Sequence, residues 1–369
     1  MSRQYKIKRR KFLAGSAAAG VAVAASFPKP AISQGLRQWK MVMTWQKTLP
    51  GLGTGAVRLA KRITALSEGK LEVLPYGGGE LVPPLEIFDA VSQGTAEMGH
   101  SSPYYWLNKH TASAFFCAVP GGLTAQEQNA WVYFAGGQQL WDKLYAPFGL
   151  RAFPAGNTGA QMGGWFNREI KTVDDLKGLK MRIPGLAGEV LNLLGGSSQT
   201  ISPQELFTSM QSGVIDALEW VGPWNDLALG FHKVSKYYYG PGFHEAGPML
   251  ELMVNKAAFE QLSPELQRII KVACAAENDL MAAEYYANNV RAMQVLRNDH
   301  STDVRSFPPE VLKSFFKVSE EVVANVGSKD ALAKEIYESY AGFRKASMAM
   351  TPVMELGFLQ ARNQNRSDA

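Results

Sequence analysis

Cysteine is almost missing from this chain. Two occur in 369 residues, Cys117 in AFFCAVP and Cys274 in KVACAAE. Two thiols cannot complete a structural zinc site, and both sit in apolar runs that suit buried free thiols. In an oxidising compartment they could instead pair. Histidine is also sparse: His100, His110, His232, His244 and His300 are scattered with no metal-ligand spacing among them. The chain contains no nucleophile elbow, no Walker loop and no HExxH. GLGTGA, Gly51 to Ala56, comes near a dinucleotide fingerprint. However, QKTLP separates it from the preceding strand, and Glu72 falls inside the next strand rather than at its end. The fingerprint needs its first glycine directly after the strand and an acid at the end of the next one. A better use for these glycines is a turn that aims a helix N-terminus at a crevice. An enzyme has no obvious place here for its chemistry.

A large excess of one charge is missing too, once the leader is removed. Residues 1–33 carry a basic start, a twin arginine (Arg9, Arg10), an alanine-rich apolar stretch and a stop near Ala31-Ile32-Ser33. The apolar run is too short and too small-residued to anchor in a membrane, and Pro-Lys-Pro follows it. It reads as an export signal cleaved before Gln34, of Tat type, although Lys8 stands where Ser or Thr is usual. The leader holds seven basic residues and no acid, so the mature chain keeps 31 basic against 33 acidic residues, a net charge of −2. Nucleic-acid binding thereby loses its global support. The mature protein is expected in the periplasm.

The mature chain has about 336 residues, enough for two domains. WKMVMTW reads as a buried strand, TGAVRLAKRITALSEG as a helix, KLEVLPY as a strand and PPLEIFDAVSQG as a helix beginning at its prolines. This alternation argues for an α/β fold with parallel neighbours. FDAVSQGTAEMGH (88–100) and FTSMQSGVIDALE (207–219) share one grammar: an apolar-faced helix, a glycine stop, and a short strand ending at a polar residue. Two lobes of similar build would each end a strand at a shared crevice. SPQELF adds a capping box on Ser202 and Glu205. The C-terminal third is helical. PELQRIIKVACAAENDLMAAEYYANNVRAMQVLRN reads as one helix of roughly 50 Å. The stretch from Lys329 to Leu359 reads as another, either packed on its own domain through Ile336, Tyr340 and Phe343 or leaving it for a partner chain.

One constellation remains. Arg182 lies in LKMRIPG, and a guanidinium is a permanently charged, paired-donor group suited to a carboxylate. Asn157 and Gln161, in the glycine-rich AGNTGAQMGGWF, offer amides without reactivity. VIDALEW delivers Glu219 and Trp220 at its end. Carboxylate, amide and carbonyl oxygens suit Na⁺ or Ca²⁺ and not zinc. Such a pocket holds a small anion and leaves it unchanged.

At these residues the sequence resembles the DctP-type solute receptors of TRAP transporters, especially the branch that binds 2-oxo or 2-hydroxy monocarboxylates with a metal ion. The likeness runs through AEMGHSSPYYW, PAGNTGAQMGGWF, DDLKGLKMRIPG, MQSGVIDALEWVGPWND and YYYGPGFHEAG. It implies a two-lobed α/β binding-protein fold of type II-like build, with hinge strands, a long connecting helix and an extended C-terminal helix. Lobe I would span 34–157 plus about 248–285, and lobe II 158–247 plus about 286–330. Residues 331–369 would form a tail that serves as a dimerisation element. Carried over residue by residue, Arg182 matches the carboxylate-binding arginine and Asn157 a substrate-bonding position. Gln161, Glu219 and the carbonyl of Trp220 match metal ligands, with Gln161 and Trp220 also beside the substrate. Glu245 returns to the crevice near ion or substrate. Tyr104 and Tyr105 match a pocket loop, and which ring points inward stays open. The expected ligand is pyruvate, another 2-oxo acid or lactate, held with sodium ahead of calcium. The partners implied are a TRAP membrane permease and a second copy of the chain in a homodimer. The competing readings are a periplasmic carboxylate-acting enzyme using Glu219 and Glu245 and a ligand-sensing module for a signalling partner.

Overall fold

Strand β1 (Arg37–Met43) sends Trp39, Met41 and Met43 into one hydrophobic core and Val42 into another. That alternation follows from the two-residue period of an extended chain whose faces are both covered. A helix over Leu52–Leu66 comes next and buries Leu52, Ala56, Leu59, Ala60 and Ile63 along one stripe. It returns the chain to β2 (Leu71–Tyr76), parallel to β1. The computed structural model describes residues 36–364. The export-signal reading and the last five residues lie outside them.

The remaining strands are β3 (Met98–Ser101), β4 (Leu150–Asn157), β5 (Gly164–Phe166), β6 (Lys180–Arg182), β7 (Ser197–Gln199), β8 (Ala217–Leu218), β9 (Tyr237–Gly240), β10 (Met249–Asn255) and β11 (Asp303–Ser306). They form two mixed sheets. The first has the order β2-β1-β3-β10-β4, and the second, written from its other edge, β7-β6-β8-β5-β9-β11. The first five positions match one for one. In each sheet the fourth strand is the reversed one: β10 is antiparallel to β3 and β4, and β5 is antiparallel to β8 and β9. Each reversed strand arrives by a crossover from the other sheet, β4 leading into β5 and β9 into β10. The internal likeness read from 88–100 and 207–219 is thus a repeat of architecture. Each copy is a six-residue helix, a glycine at positive φ (Gly94 at 77°, Gly213 at 72°) and then β3 or β8.

The long helix runs over Pro264–Asn298, 35 residues. Ser263 caps it by accepting the Leu266 N–H at 3.3 Å. It lies against β4, the Leu52–Leu66 helix and a short helix over Pro223–Leu229, so it touches elements flanking both sheets. Cys117 and Cys274 are buried and free.

Three local expectations need correction. The helix expected to begin at Pro83-Pro84 begins at Ile87, because the prolines sit in a turn closed by the Glu86 N–H on the Pro83 carbonyl (3.0 Å). The Ser202 capping box does not form. The Glu205 N–H is taken by the Ser202 carbonyl (3.1 Å) in a 3-10 turn, so the hydroxyl has no amide to accept. The tail helix breaks: Ala331–Met350 ends before Pro352, which has no N–H to continue it, and a second helix covers Glu355–Gln364. Ala331–Met350 packs on its own domain. Ile336 and Tyr340 are buried, and the Tyr340 hydroxyl accepts the Leu123 N–H at 2.9 Å. Beyond it Val353, Met354, Leu356, Phe358 and Leu359 are exposed.

Candidate functional site

The two crossovers run side by side. The Gln161 N–H donates to the Glu245 carbonyl (3.1 Å), and the Gly242 N–H donates to the Gln161 carbonyl (2.9 Å). Asn157, at the end of β4, ties them together: its Nδ2 donates to the Gly247 carbonyl (3.1 Å) and its Oδ1 accepts the Gly159 N–H (2.8 Å). Gly247 is required by space, since a Cβ there would lie 2.1 Å from the Ala125 backbone nitrogen.

Arg182 ends β6 and Glu219 follows β8, and these strands are parallel neighbours. Arg182 Nη1 donates to the Glu219 main-chain carbonyl (2.7 Å) and to the Glu219 carboxylate. Its Nη2 reaches the Tyr105 hydroxyl (3.4 Å), and the guanidinium carbon lies 5.1 Å from the Trp220 ring centre. Arg182 is 1 % exposed. Burial works hardest against its charge, but Glu219, with Tyr105, Tyr104 and Glu245, together outweighs it and holds the guanidinium above its ordinary pKa.

On the other side of Glu219, His244 Nε2 lies 3.2 Å from the carboxylate. Ligand atoms of Glu219, His244 and Glu245 all fall within 4.8 Å of one another, fully buried. Burial pushes the Glu245 carboxyl well above its usual range, the Glu219 charge adds to this, and Arg182 opposes it. Tyr104 is raised by burial and by Glu245, whereas Tyr105 is raised to about 12 by burial against the pull of Arg182. Both tyrosines line the pocket: Tyr105 faces the arginine and Tyr104 the second carboxyl.

Five buried polar atoms of this cluster have no hydrogen-bond partner: Arg182 Nε, Gln161 Oε1, Trp220 Nε1, His244 Nδ1 and Glu245 Oε2. Buried polar groups are rarely left unpaired, so so many in one cluster mark a place built for a polar guest. Gln161 is aimed by its own neighbour, its Nε2 donating to Thr158 Oγ1 (2.9 Å), which leaves the carbonyl oxygen free. The walls, including Trp45, Leu52, Tyr104 and Trp220, meet over a cavity of about 10 Å³. A roomier cleft of about 220 Å³ between the Pro309–Gly327 and Ala331–Met350 helices gathers none of the unpartnered atoms. Chemically, the site offers one buried cation for an anion, and beside it two carboxyls and an amide oxygen for a hard metal ion.

Every sequence-predicted residue, Asn157, Gln161, Arg182, Glu219, Trp220, Glu245, Tyr104 and Tyr105, is at or beside this point. Sequence reasoning missed His244, whose signal was its place next to Glu245 in FHEAG. It also missed Asp226, which supports the loop that carries Glu219. Asp226 Oδ1 accepts the Gly222 N–H (3.2 Å), and its Oδ2 accepts from the Trp165 indole (3.0 Å) and the Tyr238 hydroxyl (2.7 Å). No helix among the described residues is long and apolar enough to cross a membrane.

Comparison with known proteins identifies relatives along most of the chain. The chain is 44% identical, over 321 residues, to a monocarboxylate 2-oxoacid-binding periplasmic protein of Nostoc sp., covering 87% of this chain and 88% of the relative. A TRAP periplasmic solute binding protein from Colwellia psychrerythraea, crystallised with calcium and pyruvate, is 40% identical with a TM-score of 0.86, covering 89% of this chain and 100% of that one. Another from Pseudoalteromonas atlantica, crystallised with sodium and pyruvate, is 38% identical with a TM-score of 0.85, covering 88% and 99%. The model of bacterial extracellular solute-binding protein family 7 matches residues 41–330, and the chain belongs to this DctP family.

Proposed function

We propose that this protein is the extracytoplasmic receptor of a TRAP transporter, capturing a small monocarboxylate, pyruvate or another 2-oxo acid or lactate, together with a metal ion. One observation carries the reading. Arg182, a buried guanidinium with an unpartnered Nε, stands beside two buried carboxyls and an unpartnered amide oxygen. An anion drawn to Arg182 alone would be repelled by the Glu219 carboxylate. A cation seated among those oxygens offsets the repulsion, so ion and anion bind as a pair. The Nostoc relative's name and the pyruvate in two solved relatives support the substrate class.

Gln161, Glu219, Glu245 and the Trp220 carbonyl would hold the ion. Sodium is the first candidate and calcium the second, and each is found in one of the solved relatives above. The bound ion supplies positive charge. Arg182 pairs with the carboxylate, Tyr105 and Trp220 flank it, and Asn157 keeps the crossovers together. Closure excludes water and strengthens the charged contacts. The proposed lobes are 34–157 with about 248–285, and 158–247 with about 286–330, each built on one sheet. Export through the Tat route, delivery to a membrane permease and a homodimer joined through the exposed apolar tail belong to the same proposal.

Thermal shift against a panel of small carboxylates, each with sodium, calcium or neither, tests it. Pyruvate with an ion is expected to raise Tm by mass action. No shift from any 2-oxo or 2-hydroxy acid would refute the reading. Conversion of the ligand during prolonged incubation would favour the enzyme.

A further inference from the structure

The short helix Pro223–Leu229 begins four residues after Glu219. Its two adjacent polar residues are both fully buried, and they bond to different parts of the protein. Asp226 bonds to its own side, holding the Gly222 amide and the second-sheet residues Trp165 and Tyr238. Asn225 bonds instead to elements that flank the first sheet. Its Nδ2 donates to the Pro50 carbonyl (2.7 Å) in the loop after β1, and its Oδ1 accepts the Tyr285 hydroxyl (2.7 Å) from the long helix. Next to it, the Trp224 N–H donates to Asn289 Oδ1 on the same helix (3.0 Å), and the Trp224 ring meets Tyr285 edge-on at 5.2 Å. The Gly51-Leu52-Gly53 turn serves this junction. Gly51, at φ 71°, lies so close to Tyr285 that a Cβ would sit 2.5 Å from its ring. Leu52, the next residue, lines the ligand cavity together with Trp220 and Val221.

We infer that Asn225 is a closure latch. It links the loop presenting Glu219 and Trp220 to Pro50 and Tyr285, so that seating a ligand and docking the second lobe on the first become one event. It is a positioning residue and does not touch the ligand. Both ends of its amide are used, so truncation takes the 2.7 Å acceptor from the Tyr285 hydroxyl and one donor from the Pro50 carbonyl, which keeps the Leu52 N–H at 2.8 Å. The inference rests on the proposed receptor function.

The test uses full-length mature protein with Asn225→Ala and, separately, Tyr285→Phe, which deletes only one oxygen. Stopped-flow tryptophan fluorescence with pyruvate and sodium is expected to show dissociation faster by about ten- to a hundred-fold in Asn225→Ala, with association nearly unchanged. Tyr285→Phe is expected to move dissociation in the same direction by less. Spin labels at Glu80→Cys and Gln204→Cys, exposed positions on the two lobes, report closure with or without ligand. Their short-distance population should fall in Asn225→Ala while the ligand-free melting temperature holds. An unchanged short-distance population, or dissociation rates equal to wild type in both variants, would overturn the latch. A wild-type protein that ignores pyruvate counts against the proposed function, and the spin-label comparison still decides the latch.

Discussion

Arg182 and Glu219 grip each other three times. Across two parallel strands the Glu219 N–H donates to the Arg182 carbonyl (3.1 Å), and Arg182 Nη1 donates back to the Glu219 carbonyl (2.7 Å). The carboxylate closes on the same guanidinium nitrogen. Backbone pairing thus fixes where the charges meet.

Arg182→Ala should therefore do two kinds of damage. It removes the anion's partner and strands a buried carboxylate, a loss of about 3–5 kcal/mol for a broken buried pair. Calorimetry is expected to find no pyruvate binding, and the melting temperature should drop. Arg182→Lys keeps the charge but loses the planar fork. An affinity loss of at least about ten-fold is expected, and wild-type affinity in Arg182→Lys would mean that the fork is not used.

Glu219→Gln keeps the shape and removes one ionic oxygen. Ligand affinity, measured by calorimetry in sodium, calcium and choline buffers, should weaken and lose most of its dependence on the cation. An ion dependence equal to wild type would take Glu219 out of the ion seat.

Glu251, fully buried on β10, accepts from the Trp106 indole at 2.7 Å, and burial raises its carboxyl to about 8. The unfolded chain ionises this group near the ordinary 4.5, while the folded protein keeps its proton until about 8. Between those values the folded state holds more protons, so stability falls as pH rises. Glu251→Gln should remove this penalty. Its melting temperature relative to wild type is expected to rise from pH 5 to pH 8, by on the order of a few kcal/mol of stability. A difference that does not vary with pH would contradict the burial argument.

Gly247→Ala places a Cβ against the Ala125 backbone. Overpacking of this kind costs about 1–3 kcal/mol, and here it also displaces the carbonyl that Asn157 holds. Both the melting temperature and the pyruvate affinity should fall. A variant with wild-type stability would show that the crossover can shift freely.

Much of the fold could be read from the sequence, because the relevant signals are local. Apolar residues at helical spacing marked the Leu52–Leu66 helix, and the two helix–glycine–strand segments marked the repeat. Sheet order could not be read this way, since β10 and β5 take their places only after the chain has passed through the other sheet. At the site, Arg182, Gln161 and Glu219 announced themselves as polar residues in apolar or glycine-rich runs. His244 and Asp226 did not, because each acquires its role from a neighbour distant in sequence. Ser202 misled for a related reason: its motif fits a cap, but the backbone carbonyl reached the amide first.

The exchange of reversed strands between the sheets has a consequence for how the molecule is made. The first sheet is not complete until residues 249–255 have been synthesised, when the other sheet lacks only its edge strand β11. The first half cannot finish until most of the second has been made, so a chain truncated near its midpoint leaves an open seam in the first core.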